Sequence, residues 1–291
     1  MNELLGVALE LARGAGKILR RAYLGPASVI REKSTAIDLV TETDRESEDF
    51  LIGEITKRFP DHAVLAEESG VSGFDGPYRW VIDPLDGTVN FAHRVPTFCV
   101  LIAVQERLAS GEFRTAAGIT YDPLRDEMFT AARGGGAFLN GERIHVSATS
   151  RLIDAMLTTG FMYDRLFRDD NNHREFCRLN LLTQGVRRIG SAGLDLAYVA
   201  CGRFDASWEY CLKLWDLAAG ALLVEEAGGR VTDIEGGAEW PGGNAVASNG
   251  VIHSAVLKSL AVAKTLPLGS RAGLGDELPE DLAARLSDLG G

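Results

Sequence analysis

Residues 80–91 read WVIDPLDGTVNF, and this stretch limits the fold more than any other. With the residues before it (YRWVID, 78–83) the apolar lead-in reads as a buried strand. That strand ends in Asp83 and Asp86, with Pro84 between them and Gly87 next. Proline stiffens the backbone and removes an N–H, which keeps Asp83 from continuing into a helix. DGTVNF then reads as the opening turn of a helix, whose unpaired amides and positive end suit an anion. Taken singly, Asp83-Pro84 is equally well a turn, and Asp86 a helix cap.

Other acids also fall at the ends of elements. Glu67 and Glu68 close the strand-like AVLAEES (63–69), Asp44 ends DLVTETD (38–44), and Asp216 opens the helix-like WDLAAGALLVEEAGG (215–229). Glu67, Asp83, Asp86 and Asp216, with the carbonyl of Leu85, form the oxygen-only ligand set that a hard divalent cation prefers. Spacing alone does not join them, and each has a plain reading as a loop or cap residue.

Bulk properties narrow the partners. With 291 residues and 46% hydrophobic content the chain can bury a large core. The formal net charge of -11 disfavours nucleic acid and anionic membranes, which need basic surface. Bound cations would still let such a chain take a phosphate ester. FCVLIAV (98–104), one of the longest apolar runs, is far too short to span a bilayer. The N-terminus is amphipathic and does not read as a secretion signal. The four cysteines lack metal or redox spacing, so reduced, packed thiols and a cytoplasmic location are expected.

Along the chain, a helix is expected over 3–22. A second follows TDRE (43–46), with Thr43 and Glu46 as a capping box, and runs to Pro60. The half 1–149 reads as two helices and a largely antiparallel sheet that holds most of the acids. From 150 to 265 strands and helices alternate, which indicates layered packing. The tail 266–291 is expected to be peripheral, with one short amphipathic helix. Gly134–Gly136 read as a hairpin turn rather than a phosphate loop, His93 as a polar residue rather than a base, and Arg187-Arg188 as a surface or ion-pair set.

LAEESG, WVIDPLDGTVNF and LKLWDLAAGALLVEEAGG, with DLVTETD upstream, resemble the inositol monophosphatase family of Mg²⁺-dependent, lithium-sensitive phosphatases, in the right order over 1–263. Val89 stands where the family usually has threonine. The resemblance implies a mixed α and β fold, a five-layer αβαβα sandwich of the sugar-phosphatase type, and a homodimer. It assigns two or three Mg²⁺ ions to Glu67, Asp83, the Leu85 carbonyl, Asp86 and Asp216. Asp83 is shared between the first two ions, and Glu67 also serves a third. It makes Glu67, Thr88 and Asp44 the residues that activate water. It gives the phosphate to the Gly87 and Thr88 amides, and the alcohol to Asp86, Ser191, Ala192 and Glu209. Glu68 supports the site from behind, and Lys33 lies on a mobile loop near the third ion.

The family's remaining serine contact falls near Phe161-Met162, where no serine stands. The expected reaction is hydrolysis of inositol monophosphate by water in direct in-line attack. The alternatives are a fructose-1,6-bisphosphatase or a broad sugar or nucleotide phosphatase of the same fold. A further alternative, of another class, is a regulatory binding protein associated with RNA metabolism that has kept the fold. A small phosphate ester is the expected partner, with no nucleic acid and no membrane.

Overall fold

The computed structural model describes residues 2–26, 30–32, 39–238 and 243–288. The chain begins with α1 (Asn2–Leu24), β1 (Ile30–Glu32), β2 (Leu39–Thr41) and α2 (Glu42–Arg58). Next come β3 (Ala63–Ala66), β4 (Gly70–Gly73), β5 (Tyr78–Asp86) and the short α3 (Thr88–Ala92). β6 (Cys99–Arg107), β7 (Phe113–Asp122), β8 (Glu127–Ala132), β9 (Gly136–Leu139) and β10 (Glu142–Ile144) complete the first sheet. The second half runs β11 (Met156–Thr159), α4 (His173–Leu182), β12 (Gly185–Arg187), α5 (Ala192–Ala200), β13 (Ala206–Glu209) and α6 (Leu214–Glu226). It ends in β14 (Arg230–Thr232), β15 (Ala245–Ser248), α7 (His253–Thr265) and α8 (Glu280–Asp288).

An eight-stranded sheet has the order β10-β9-β8-β7-β6-β5-β3-β4, antiparallel except where β3 meets β5. A five-stranded sheet has the order β12-β11-β13-β15-β14, with its first three strands parallel. α1 and α2 cover one face of the first sheet, α5 and α6 lie between the sheets, and α4 and α7 cover the far face of the second. That stack is the five-layer αβαβα sandwich. α1 presents Leu4, Ala8, Leu11, Ala15 and Leu19, all buried, at three- and four-residue steps. They pack on Val100, Ile102, Val104 and Ile119 of the first sheet. Residues 217–224 of α6 are all buried, so its middle is apolar on every side, as an inner layer must be. It approaches β7 so closely that a Cβ on Gly118 would lie 2.7 Å from the Ala219 carbonyl oxygen.

Two expectations are corrected. The box at the start of α2 is made by Thr41 and Asp44, not Thr43 and Glu46. Thr41 is extended (φ -112°, ψ 165°), and its hydroxyl accepts from the Thr43 and Asp44 amides while Asp44 Oδ2 accepts from the Thr41 amide at 2.8 Å. AVLAEES is a strand only to Ala66, and the glutamates sit in the turn before β4, an unanticipated edge strand with alternating exposure. The start of the tail is tied to α4 and α7. The buried Arg178 of α4 pairs with Glu277, Glu277 accepts from Ser259 of α7, and Leu274 is buried. The GGG turn joins β8 to β9 as expected, and the Gly134 and Gly136 amides donate to the Glu226 carboxylate. Among the described residues no helix is long and apolar enough to cross a membrane.

Candidate active site

β5 does not stop at Pro84. It continues to Asp86, and its pairing with β6 shifts between Asp83 (opposite Leu101) and Asp86 (opposite Cys99). Three steps along β5 thus match two along β6, which is a bulge. In a regular strand, side chains three apart point to opposite faces. The bulge, placed where proline has no N–H to give the ladder, turns both acids toward one cleft. Ser47 of α2 donates to the Pro84 carbonyl at 3.0 Å, and the Leu85 amide donates to Asp83 Oδ1 at 3.0 Å. The bulge is therefore held from both sides.

The cleft is about 650 Å³. It is bordered by Glu67, Glu68, Asp83, Leu85, Asp86, Gly87, Thr88, Ser191, Ala192, Glu209 and Asp216, so nearly the whole expected site converges there. Asp44 lies behind Thr88, fully buried, and its Oδ1 accepts from the Thr88 hydroxyl at 3.0 Å. Glu68 is linked through its amide to Glu48 Oε2 at 2.9 Å. Lys33 lies outside the described residues. Asp216, three residues past Lys213 at the head of α6, accepts from the Lys213 amide at 2.6 Å. Ser191 and Ala192 are turned to Asp86. The Ser191 hydroxyl donates to its Oδ2 at 2.6 Å, the Ala192 amide to Oδ1 at 3.2 Å, and the Gly193 amide to Oδ2 at 2.7 Å. The N-terminus of α5 thus aims its donors at an acid of the other sheet.

Electrostatically the cleft is frustrated. Burial raises Asp83 well above the usual carboxylate range, and Glu67, Asp86 and Asp216 push it further. Asp216 is raised by burial and by Asp86, Glu67 and Glu209, against the Lys213 amide. Asp86 is raised by burial, with its Ser191, Gly193, Cys99 and Ala192 donors pulling it back. Burial lifts Glu209 to about 8, and lifts Asp44 to about 6 despite its bonds to Thr41 and Thr88. Among the described residues no three of these acids close into a preformed metal-holding group. Asp86 and Asp216 are turned to backbone donors.

The sequence profile of the inositol monophosphatase family matches residues 1–267. The chain belongs to this family. It is 47% identical to the inositol-1-monophosphatase of Synechocystis sp., over 88% of each chain. It is 44% identical to the protein called Nus factor SuhB in Pseudomonas aeruginosa, over 89% of this chain and 96% of that one. The solved inositol monophosphatase of Anabaena (Nostoc) sp. superposes with a TM-score of 0.80 at 43% identity, covering 92% of this chain and 97% of that one. The chain is a phosphoric monoester hydrolase of a family that is generally metal-dependent.

The donor set fits that chemistry. The converging groups are carboxylates and a carbonyl, which suit hard cations. The nearby Cys99 thiol is held protonated by burial and by Asp86, so no soft ligand competes. Repulsion among buried acids is what divalent cations relieve. All four cysteines are free.

Sequence reasoning missed two residues. Asp195 is buried on α5, takes the Thr158 hydroxyl, is raised by burial and by Glu209, and borders the cleft. An acid inside the apolar run AGLDLAYVA was the available signal. Arg188, set aside as a surface or ion-pair residue, also borders the cleft, where it favours the charged forms of Asp195 and Glu209.

Proposed function

We propose that this protein hydrolyses inositol monophosphate to inositol and phosphate with Mg²⁺, by direct in-line attack of water. The observation that carries the reading is the β5 bulge, which turns Asp83 and Asp86 together toward Asp216 and Glu67 beside the Thr88–Asp44 pair. In this reading Glu67, Asp83 and the Leu85 carbonyl hold one ion, and Asp83, Asp86 and Asp216 a second. Glu67 contributes to a third. Bound Mg²⁺ would lower the pKa of water and neutralise charge on the phosphoryl group.

The protein's own groups do the positioning. The Thr88 hydroxyl has one proton and two acceptors in reach, Asp44 Oδ1 at 3.0 Å and the Leu85 carbonyl at 3.1 Å. Were the Leu85 carbonyl to ligate a cation, the Thr88 hydroxyl would donate to Asp44 alone, and its oxygen would be free to accept from the attacking water. Glu67 takes part in the same activation. α3 has no side-chain cap at Gly87, so its first amides are available to phosphate oxygens. Glu209, Asp86, Ser191 and Ala192 face the alcohol, where carboxylates accept several O–H donors. Phosphate passes straight to water, and a phosphorylated aspartate or threonine trapped during turnover would refute this. Lithium sensitivity, a homodimer and a cytoplasmic location go with the same reading.

The deciding experiment is phosphate release from a panel of inositol, fructose, glycerol and nucleotide phosphates, with Asp83→Asn as control. Inositol monophosphate should give the highest kcat/KM. Fructose 1,6-bisphosphate belongs in the panel because Arg165 and Arg188 border an adjoining recess, where a second phosphate would find positive charge. A binding role in RNA metabolism is favoured by the relatives called Nus factor SuhB. The complete acid set and the net charge of -11 weigh against it as the sole function. It gains ground if no phosphate monoester is turned over.

A further inference from the structure

Asn172 is 1% exposed and sits at the head of α4 with a left-handed backbone (φ 69°). Asparagine tolerates that conformation better than most residues. Its carboxamide uses both donors and one acceptor. Nδ2 donates to Thr159 Oγ1 at 2.8 Å and to the Gly160 carbonyl at 2.7 Å, and Oδ1 accepts from Trp208 Nε1 at 2.6 Å. Thr159 and Trp208 are register partners on the parallel strands β11 and β13, and the Thr159 hydroxyl donates to the Trp208 carbonyl at 2.6 Å. One side chain therefore fastens the C-terminal end of β11 to that of β13.

The residues just past these anchors are Gly160 and Glu209, and both border the cleft. They touch so closely that a Cβ on Gly160 would lie 1.8 Å from Glu209 Oε1. The Glu209 carboxyl thus rests on the bare backbone of Gly160, and Asn172 holds that backbone in place. A second tie from the same helix joins the next residue of this wall, where the Tyr210 hydroxyl donates to Glu175 Oε1 at 3.1 Å.

We propose that Asn172 is a positioning residue for recognition of the alcohol half of the substrate. It clamps Gly160 beneath Glu209 and so fixes the carboxyl that accepts the polyol hydroxyls. The inference rests on the reading of Glu209 as that acceptor. The phosphate half of the cleft is built from β5, α3 and α6, none of which Asn172 touches through a side-chain hydrogen bond. The clamp therefore acts on substrate affinity and leaves the chemical step alone.

The test is steady-state kinetics on inositol 1-phosphate and on p-nitrophenyl phosphate, which lacks polyol hydroxyls. The variants are Asn172→Ala, Trp208→Phe, Glu209→Ala and the double Asn172→Ala/Glu209→Ala, each checked for folding by circular dichroism. Asn172→Ala should raise KM for inositol 1-phosphate about ten-fold, the size expected when the polyol loses one well-placed hydrogen bond to the Glu209 carboxylate. Its kcat, and its KM for p-nitrophenyl phosphate, should stay at the parent values. In the Glu209→Ala background the same change should add nothing. Trp208→Phe removes one of the three bonds and should move KM the same way by a smaller factor, which decides the matter if Asn172→Ala fails to fold. An unchanged KM in folded Asn172→Ala or Trp208→Phe, with Glu209→Ala raising it, overturns the inference and spares the reading of Glu209. An equal rise for both substrates, or a further rise in the Glu209→Ala background, also overturns it. If Glu209→Ala itself leaves KM unchanged, the reading of Glu209 falls and the inference falls with it.

Discussion

The Thr88 hydroxyl lies 3.0 Å from Asp44 Oδ1, and Asp44 Oδ2 is in turn held by the Thr41 amide at 2.8 Å. One carboxylate therefore caps α2 and orients the hydroxyl that, in the proposed reaction, would face the attacking water. Thr88→Ala should lower kcat roughly 10²- to 10⁴-fold with little change in KM, the usual range for a positioned proton-transfer group. Thr88→Ser keeps the hydroxyl and should retain most of the activity. Initial rates on inositol 1-phosphate distinguish these outcomes.

Asp83→Asn should abolish activity without weakening the metal-free fold. The amide oxygen can still accept from the Leu85 amide, as Asp83 Oδ1 does at 3.0 Å. The change removes a charge that Glu67, Asp86 and Asp216 oppose. Thermal melts in EDTA should show a Tm at or above that of the parent, together with turnover reduced more than about a thousand-fold, as the proposed sharing of Asp83 between two ions implies.

Glu209 makes the metal-free protein sensitive to pH. Its carboxyl is raised from 4.5 to about 8, so the folded chain keeps a proton that the unfolded chain releases. Stability from this group is thus present below about pH 4.5 and is lost progressively up to about pH 8. In EDTA, Glu209→Gln should match the parent Tm near pH 5 and exceed it at pH 8. Mg²⁺ at about a hundred times its Kd should raise the parent Tm by roughly 5 °C, from the linkage relation and the usual slope for large domains. A parent Tm that rose relative to Glu209→Gln between pH 5 and 8 would contradict this.

The tail clasp should matter to stability. Arg178 and Glu277 side chains are 3% and 8% exposed, and Arg178 also donates to the Ala272 carbonyl at 3.0 Å. Glu277→Ala strands a buried guanidinium whose Nε already has no partner among the described residues. Such a break costs about 3–5 kcal/mol, or roughly 10 °C in Tm. Replacing both residues with Met and Leu should recover most of that loss.

How far the sequence reveals this site depends on the range of the interactions involved. The acids of WVIDPLDGTVNF were legible because strand, proline and glycine are neighbours. The bulge that turns Asp83 and Asp86 toward one cleft was not, because it exists only in the register with β6. The expected cap of α2 is two residues too late. Both Thr41 and Thr43 fit a capping pattern, and only the extended backbone at Thr41 decides between them; Glu46 instead pairs with Arg21. Asn172 sat in the polar run DDNNHREF, indistinguishable from a solvated helix start. Its partners Thr159 and Trp208 are 13 and 36 residues away. β4 escaped notice because GVSG is short and glycine-flanked.

The placement of α6 has a consequence for biosynthesis. The helix that covers the inner face of the eight-stranded sheet is encoded after every strand of that sheet has been made. A nascent chain whose first 150 residues have left the ribosome would carry β5 to β8 with Val81, Ala103 and Phe129, all buried in the finished protein, open to water. Such a surface attracts chaperones and other nascent chains. Asp216 also reaches the cleft only with α6, so the acid set is incomplete until the last third of the chain has emerged.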